Sequence, residues 1–210
     1  MYMRIKRIID ILLSLIGLIV LFPIFLILII AIKLDSQGPV MFKQKRVGIH
    51  KTHFNILKFR TMRIDTPKHT PTHMLENPEQ YITKVGKLLR KTSLDELPQI
   101  WNIFVGKMSI IGPRPALWNQ YDLIEERDKY GANAVPPGLT GWAQINGRDE
   151  LPIKVKAKLD GEYVEKMSFW VDVKCFFGTI VSVVKSDGVV EGGARELTHK
   201  EAIFDLGLKK

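Results

Sequence analysis

Ile11-Leu12-Leu13-Ser14-Leu15-Ile16-Gly17-Leu18-Ile19-Val20-Leu21-Phe22-Pro23-Ile24-Phe25-Leu26-Ile27-Leu28-Ile29-Ile30-Ala31-Ile32 contains no charge, and its length is close to the ~20 apolar residues a membrane-spanning helix needs. A cleaved signal peptide would have an apolar core of only ~7–15 residues followed by small residues. Here Lys33-Leu34-Asp35 follows instead. Basic residues collect on the cytoplasmic side of membrane segments, and they flank both ends: Arg4, Lys6 and Arg7 before, Lys33, Lys43, Lys45 and Arg46 after. Pro23 removes a helix hydrogen bond near the middle and kinks the axis. A kinked helix that enters the bilayer and returns to the same face satisfies both observations. A straight span with a tolerated proline is the alternative.

Outward from this segment, the 210 residues suit one globular domain plus one extra element. The expected division is a membrane helix over residues 1–35 and a globular domain over 36–210. Lys and Arg number 31 against 22 acidic residues, a net charge of +9, which favours anionic partners: nucleic acid, anionic lipid or phosphorylated substrates. No recognised nucleic-acid motif is present, and the apolar segment argues against that class. The single cysteine, Cys175, lies in an apolar run and reads as a small core residue in a reducing compartment.

In this basic chain, Thr92-Ser93-Leu94-Asp95-Glu96-Leu97-Pro98 places two carboxylates side by side. Ser93 and Glu96 fit a capping box, in which Glu96 reaches back to the serine amide. A helix starting nearer Asp95 would instead keep Pro98 in its first turn, where proline is tolerated. Either way the helix start favours an ionised Asp95.

Upstream, Val40-Met41-Phe42 and Phe54-Asn55-Ile56-Leu57 flank a turn with Gly48 and predict a β-hairpin. Lys58 and Arg60 follow, two residues apart and so on one face of a strand, either as edge-protecting cations or as phosphate or headgroup contacts. His69 and His73 have metal-pair spacing, but the surrounding prolines oppose a helix there. Ile82, Val85, Leu88 and Leu89 recur at helical spacing. Downstream, Trp101 to Val105 continues a helix, and Met108 to Ile111 reads as a short strand. It ends at Gly112-Pro113-Arg114-Pro115, whose prolines leave the arginine little backbone freedom; either it is held to grip phosphate, or the stretch is simply a turn with a solvated arginine. Pro137-Gly138-Leu139-Thr140-Gly141-Trp142-Ala143-Gln144-Ile145-Asn146-Gly147-Arg148 offers loop amides to an anion, though it is neither a Walker loop nor a dinucleotide fingerprint. Residues 153–185 follow a helical pattern with a bulky stripe of Phe169, Trp170, Val173, Phe176, Phe177 and Ile180, suited to a core or to a membrane interface. Asp172 interrupts the stripe and predicts a cationic partner, Arg148 being one candidate. Thr198 and Glu201 form a second capping-box pattern near the end.

Together, Gly38-Pro39-Val40, Lys58-Phe59-Arg60-Thr61-Met62, Ser93 to Gln99, Met108 to Pro115 and Pro137 to Arg148 resemble the monotopic bacterial phosphoglycosyl transferases, in that family's order and over nearly the whole chain. The resemblance is to the minimal catalytic form. It implies an α+β fold, mostly helical with a small β-hairpin element, interfacial amphipathic helices, and a re-entrant helix broken at Phe22-Pro23. Some members carry serine where this chain has Phe22, so the kink would be stabilised differently here. The implied reaction is Mg2+-dependent transfer of sugar-1-phosphate from a UDP-sugar to undecaprenyl phosphate, releasing UMP, on the cytoplasmic face of the bacterial inner membrane. Asp95 would be the nucleophile. Glu96 would orient the metal or assist proton transfer, the metal lying on Asp95 and Glu96. Arg114 would hold nucleotide phosphate or uridine, and Arg148 with the loop amides the other phosphate. Lys58, Arg60, Pro113, Gly141 and Asn146 belong to the matching binding motifs, and Arg90 and Asp172 have supporting roles. Donor, acceptor and membrane lipids are the implied partners, no nucleic acid is among them, and a homodimer is left open. The rival from physics alone is a non-catalytic basic scaffold anchored to anionic lipid, its carboxylates capping a helix.

Overall fold

The computed structural model describes residues 2–66, 78–147 and 151–184. The two histidines of residues 67–77, Arg148 and the capping pattern at Thr198 and Glu201 lie outside them. The apolar segment forms two helices, α1 (Tyr2–Val20) and α2 (Phe22–Asp35), bent by 59° where Leu21 separates them. Pro23 sits in the first turn of α2, where its missing N–H costs nothing and its fixed φ suits a helix start. Neither helix alone is long and apolar enough to cross a membrane, whereas the bent pair together meets that test by length and composition.

The two helices differ in what they bury. α2 turns Leu28 and Ile32 inward, with Phe25 and Ile29, against Phe59, Leu89, Leu94 and Leu97. α1 buries a polar stripe at helical spacing: Lys6, Asp10 and Ser14. Lys6 meets Asp172 at 2.5 Å, Asp10 accepts from the Ile110 amide at 3.0 Å, and Ser14 donates back to the Asp10 carbonyl. Arg7 donates to the carbonyls of Ile103 and Phe104. The opposite faces leave Leu12, Ile16, Ile19, Phe22, Ile27 and Ile30 exposed.

The expected hairpin is present and longer than its two apolar runs. β1 (Met41–Val47) pairs antiparallel with β2 (His53–Phe59), Met41 opposite Phe59. His50 and Lys51 in the connection have positive φ. After an isolated bridge between Met62 and Ile82 come α3 (Lys84–Lys91), capped by the Thr83 side chain on the Gly86 amide, and α4 (Gln99–Phe104). A second sheet, which the sequence reading did not separate from the hairpin, pairs β3 (Ser109–Ile111) in parallel with β4 (Gly138–Thr140). α5 (Tyr121–Asp128) lies between these strands in the chain, and α6 (Trp142–Ile145) follows. The helical pattern over 153–185 forms two helices, α7 (Ile153–Lys166) and α8 (Phe169–Val184). Cys175 of α8 is fully buried in a cluster with Ile111 and Tyr163, and burial pushes its thiol up to about 11, so it packs as an inert core residue. The other face of α8 leaves Phe169, Trp170, Phe176, Phe177 and Ile180 exposed.

One close approach fixes where α3 can lie. A Cβ on Gly86 would overlap the Thr61 carbonyl, the same oxygen that accepts from the Thr83 amide at 3.0 Å. Propensity alone makes Gly→Ala in a helix favourable by about 1 kcal/mol, while forced overpacking costs about 1–3 kcal/mol. The backbone oxygen cannot yield as a flexible side chain would, so the clash prevails. Gly86→Ala is expected to lower stability by about 1 kcal/mol in denaturant titration, and a stabilised variant would show that α3 does not press on Thr61.

Candidate active site

Asp95 and Glu96 stand on a 3-10 turn, Leu94–Glu96, between α3 and α4. Ser93 precedes this turn but does not cap it through its side chain. It adopts the left-handed conformation, φ 56°, and makes no side-chain cap bond. It follows the α3 C-cap Thr92, a position where a left-handed residue ends a helix and reverses the chain. The capping-box reading of Glu96 is therefore corrected: an N-cap serine has extended backbone, and this one does not. α4 starts only at Gln99, with Pro98 as its N-cap, so the carboxylates precede it rather than occupying its first turn.

The turn is held from below and from the side. Leu94 and Leu97 pack on the cluster formed by α2, Phe59 and Leu89. Asn102 of α4 accepts from the Leu57 amide at 2.9 Å and donates to the Asn55 carbonyl at 3.0 Å, binding α4 to β2. Asn102 escaped notice in the sequence, where it looks like one polar residue in an apolar helix. These contacts set the carboxylates above Lys58, which follows Leu57 in β2.

The two carboxylates then part company. Glu96 Oε1 accepts from Lys58 Nζ at 2.7 Å and from Arg114 Nη2 at 2.8 Å. Burial opposes its ionisation, yet the charges of Arg114 and Lys58 override burial and hold the Glu96 carboxyl well below the usual carboxylate range. Asp95 lies 3.9 Å from Lys58 Nζ; among the described residues no hydrogen bond to its carboxylate is found. Burial pushes it up, Lys58 and more distant Arg90 and Arg114 pull it down, Glu96 adds to the rise, and the net direction is upward. The expected help from a helix start does not prevail. Asp95 is a partly buried carboxylate of raised basicity, beside one whose charge is already compensated.

Arg114 leaves β3 through buried Gly112-Pro113, and its side chain is 36% exposed. Arg90 donates from Nε to Thr61 Oγ1 at 2.9 Å and is near enough to lower the Asp95 pKa. Lys58, Arg90 and Arg114 thus gather around the pair. Arg60 does not join them: its guanidinium bonds the carbonyls of Ser36 and Gln37 at 2.7 Å each, closing the C-terminal end of α2. Asp172 is also elsewhere, accepting from Lys6, Tyr2 and Tyr163; its cation is Lys6. Gly141 is a packing residue, since a Cβ there would overlap the Gly112 carbonyl. Asn146 is exposed and donates to the Trp142 carbonyl.

Among the described residues no group of three or more His, Cys, Asp or Glu side chains could cage a metal. Mg2+ is commonly held by one or two carboxylates completed by substrate phosphates. Asp95 fits that mode. Glu96 fits it less well, because two cations already occupy Oε1.

The sequence profile described as bacterial sugar transferase matches residues 1–186. The chain belongs to the bacterial sugar transferase family. It is 40% identical over 187 residues to the undecaprenyl-phosphate glucose phosphotransferase of Komagataeibacter xylinus, covering 83% of this chain and 35% of that protein. It is 40% identical over 183 residues to the UDP-glucose:undecaprenyl-phosphate glucose-1-phosphate transferase of Escherichia coli (strain K12), covering 83% and 39%. Against the uncharacterized sugar transferase EpsL of Bacillus subtilis (strain 168), identity is 39% over 187 residues, covering 89% and 91%. The chain thus spans between a third and two fifths of the first two relatives and nearly all of the third.

Removing one member of a largely buried ion pair leaves the others uncompensated, which costs 3–5 kcal/mol in full burial; Arg114 is open to water, so about 2 kcal/mol is expected for Glu96→Gln. Glu96 has a depressed folded pKa, so its contribution is fully present above the ordinary glutamate value of about 4.3 and fades as pH falls towards the folded value. Denaturant titrations of both forms should show a gap that is constant at neutral pH and narrows below about pH 4. A gap independent of pH would mean that Glu96 is not held by charge.

Proposed function

We propose that this chain transfers sugar-1-phosphate from a UDP-sugar to a polyprenol phosphate, undecaprenyl phosphate by analogy with the named relatives, releasing UMP. The observation that carries this reading is the unequal pair: Glu96 clamped between Lys58 and Arg114, Asp95 next to it without such a clamp. A scaffold whose carboxylates cap a helix is disfavoured by the absence of that cap.

In the first step a carboxylate oxygen of Asp95 bonds to the β-phosphorus of the donor. The bond to the bridging oxygen breaks, and UMP leaves with the electron pair. In the second step a phosphate oxygen of the polyprenol phosphate bonds to the same phosphorus, the acyl-phosphate bond breaks, and Asp95 is regenerated. Splitting the transfer in this way keeps donor and acceptor anions from having to meet directly. Lys58, Arg90 and Arg114 gather the negative phosphates. Glu96, with its charge compensated, serves chiefly as the anchor that keeps Lys58 and Arg114 at the site. Mg2+ held by Asp95 and the diphosphate would supply further charge neutralisation at the reacting phosphorus.

A lipid acceptor requires that the site lie at a membrane. The exposed apolar faces of α1 and α2 and the aromatic face of α8 suit insertion of a bent, re-entrant pair with α8 in the interface, on the cytoplasmic face of the membrane. Leu94 and Leu97, flanking the carboxylates, pack on the cluster that α2 shares with Phe59 and Leu89, so insertion of α2 would carry the site towards the bilayer surface. Cysteines introduced at positions 2 and 36 should react with an impermeant label from the same side, and reaction from opposite sides would replace re-entry by a span.

The functional test is UMP release across a panel of UDP-sugars with undecaprenyl phosphate. Asp95→Asn is expected to lower it by about 10⁴-fold or more; retention of release would exclude Asp95 as nucleophile. Because Asp95 acts ionised and its pKa is raised, the rate should fall with acid at a pH above the ordinary aspartate value of about 3.9. Lys58→Met removes a lowering charge and should move this limb up, while Glu96→Gln removes a raising charge and should move it down. Shifts of the same sign would contradict this assignment of charges.

A further inference from the structure

Pro113-Arg114-Pro115 carries the Arg114 guanidinium, and its two prolines have no N–H with which to be tied down. The segment is fixed by its carbonyls instead. That of Pro113 accepts from the Gly138 amide at 2.9 Å, that of Pro115 from Arg46 Nη1 at 2.9 Å, and that of Ala116 from the Val47 amide at 3.0 Å. The carbonyl of Arg114 itself accepts from Arg127 Nη2 at 3.0 Å. Arg127 lies on α5 and is 4% exposed; its Nε and Nη2 reach Asp160 Oδ2 of α7, 1% exposed, at 2.8 and 2.5 Å.

A buried pair of this kind is a poor device for stability alone, because apolar side chains of similar volume usually do as well once desolvation is counted. What they could not supply is the third bond, a charged donor aimed at the carbonyl of residue 114. We propose that Arg127, oriented by Asp160, is a positioning residue for Arg114: it fixes the backbone from which the guanidinium reaches Glu96 and the phosphates of the donor. This rests on the reading of Arg114 as a phosphate-binding group in UDP-sugar transfer. Neither Arg127 nor Asp160 touches substrate; both act through the main chain of the residue that does. The arrangement joins α5 and α7, which carry no residue assigned to the reaction, to the site.

The test compares four proteins: the unaltered chain, Arg127→Met/Asp160→Leu, Arg114→Ala, and the triple variant. The apolar pair is expected to fold. Its KM for the UDP-sugar should rise about tenfold with a smaller change in kcat, the pattern of lost substrate binding, and its acid limb should move to higher pH as the Arg114 charge moves away from Asp95. In the Arg114→Ala background the same two substitutions should change KM less than about twofold, since residues acting through one group are not additive. A folded pair variant with unchanged KM and pH profile, or an equal loss in both backgrounds, would overturn the proposal. Should the pair variant not fold, Arg127→Lys keeps the charge facing Asp160 but lacks the planar fork and enters the same comparison. UMP release by the unaltered chain tests the functional reading separately. If it releases none, the positioning claim is read from stability: the loss caused by Glu96→Gln should shrink when Arg127 and Asp160 are replaced, and an undiminished loss would refute it.

Discussion

The contact on which the site depends is the triangle of Glu96 Oε1, Lys58 Nζ and Arg114 Nη2. Each corner comes from a different element: Lys58 from β2, Glu96 from the turn between two short helices, Arg114 from the loop leaving β3. One carboxylate oxygen thus ties the hairpin sheet to the parallel sheet. Its second consequence concerns its neighbour. Because Glu96 takes the close contacts of both cations, Asp95 is left with a longer ion pair and a raised pKa. Adjacent identical charges in one turn are normally a liability; here the compensation of one leaves the other available as a base or nucleophile.

The N-terminal helices meet the rest of the molecule through two kinds of chemistry. α2 contributes apolar surface beneath the turn that bears the carboxylates. α1 contributes polar bonds: Asp10 to the amide of Ile110, Lys6 to Asp172, Arg7 to the end of α4. The Asp10 bond supplies an acceptor to a strand amide on the side of β3 not paired with β4. Such directed bonds specify one orientation of the helix, which apolar contacts alone would leave less defined. Arg60 makes the complementary connection at the far end of α2. A cation that could be read from the sequence as a phosphate contact bonds instead to the carbonyls just beyond α2.

Much of this was legible in the chain. The charge-free run with a central proline gave the bent helix pair, because proline chemistry is local. The hairpin around Gly48 and the strand before Gly112 followed from short apolar runs between turn residues, equally local. Where the sequence misled, the cause was tertiary. Ser93-x-x-Glu96 has the spacing of a capping box, but Ser93 has a left-handed backbone, follows the helix before it and makes no side-chain cap bond, and Glu96 instead meets two cations distant in sequence. The partner of Asp172 lies 166 residues earlier, beyond any spacing rule. The buried stripe of Lys6, Asp10 and Ser14 could have been found, since residues four apart share a helix face. The parallel β3–β4 pair could not, because two three-residue strands joined through a helix carry little periodicity.

The central claim is that compensation of Glu96 leaves Asp95 as the group that attacks phosphorus. Intact-mass measurement of the protein mixed with a UDP-sugar, without acceptor, tests it most directly. The account predicts a mass increase of one sugar phosphate, localised by peptide fragmentation to Asp95 and absent in Asp95→Asn. An adduct on another residue, or UMP release that requires acceptor and never passes through an adduct, would contradict it.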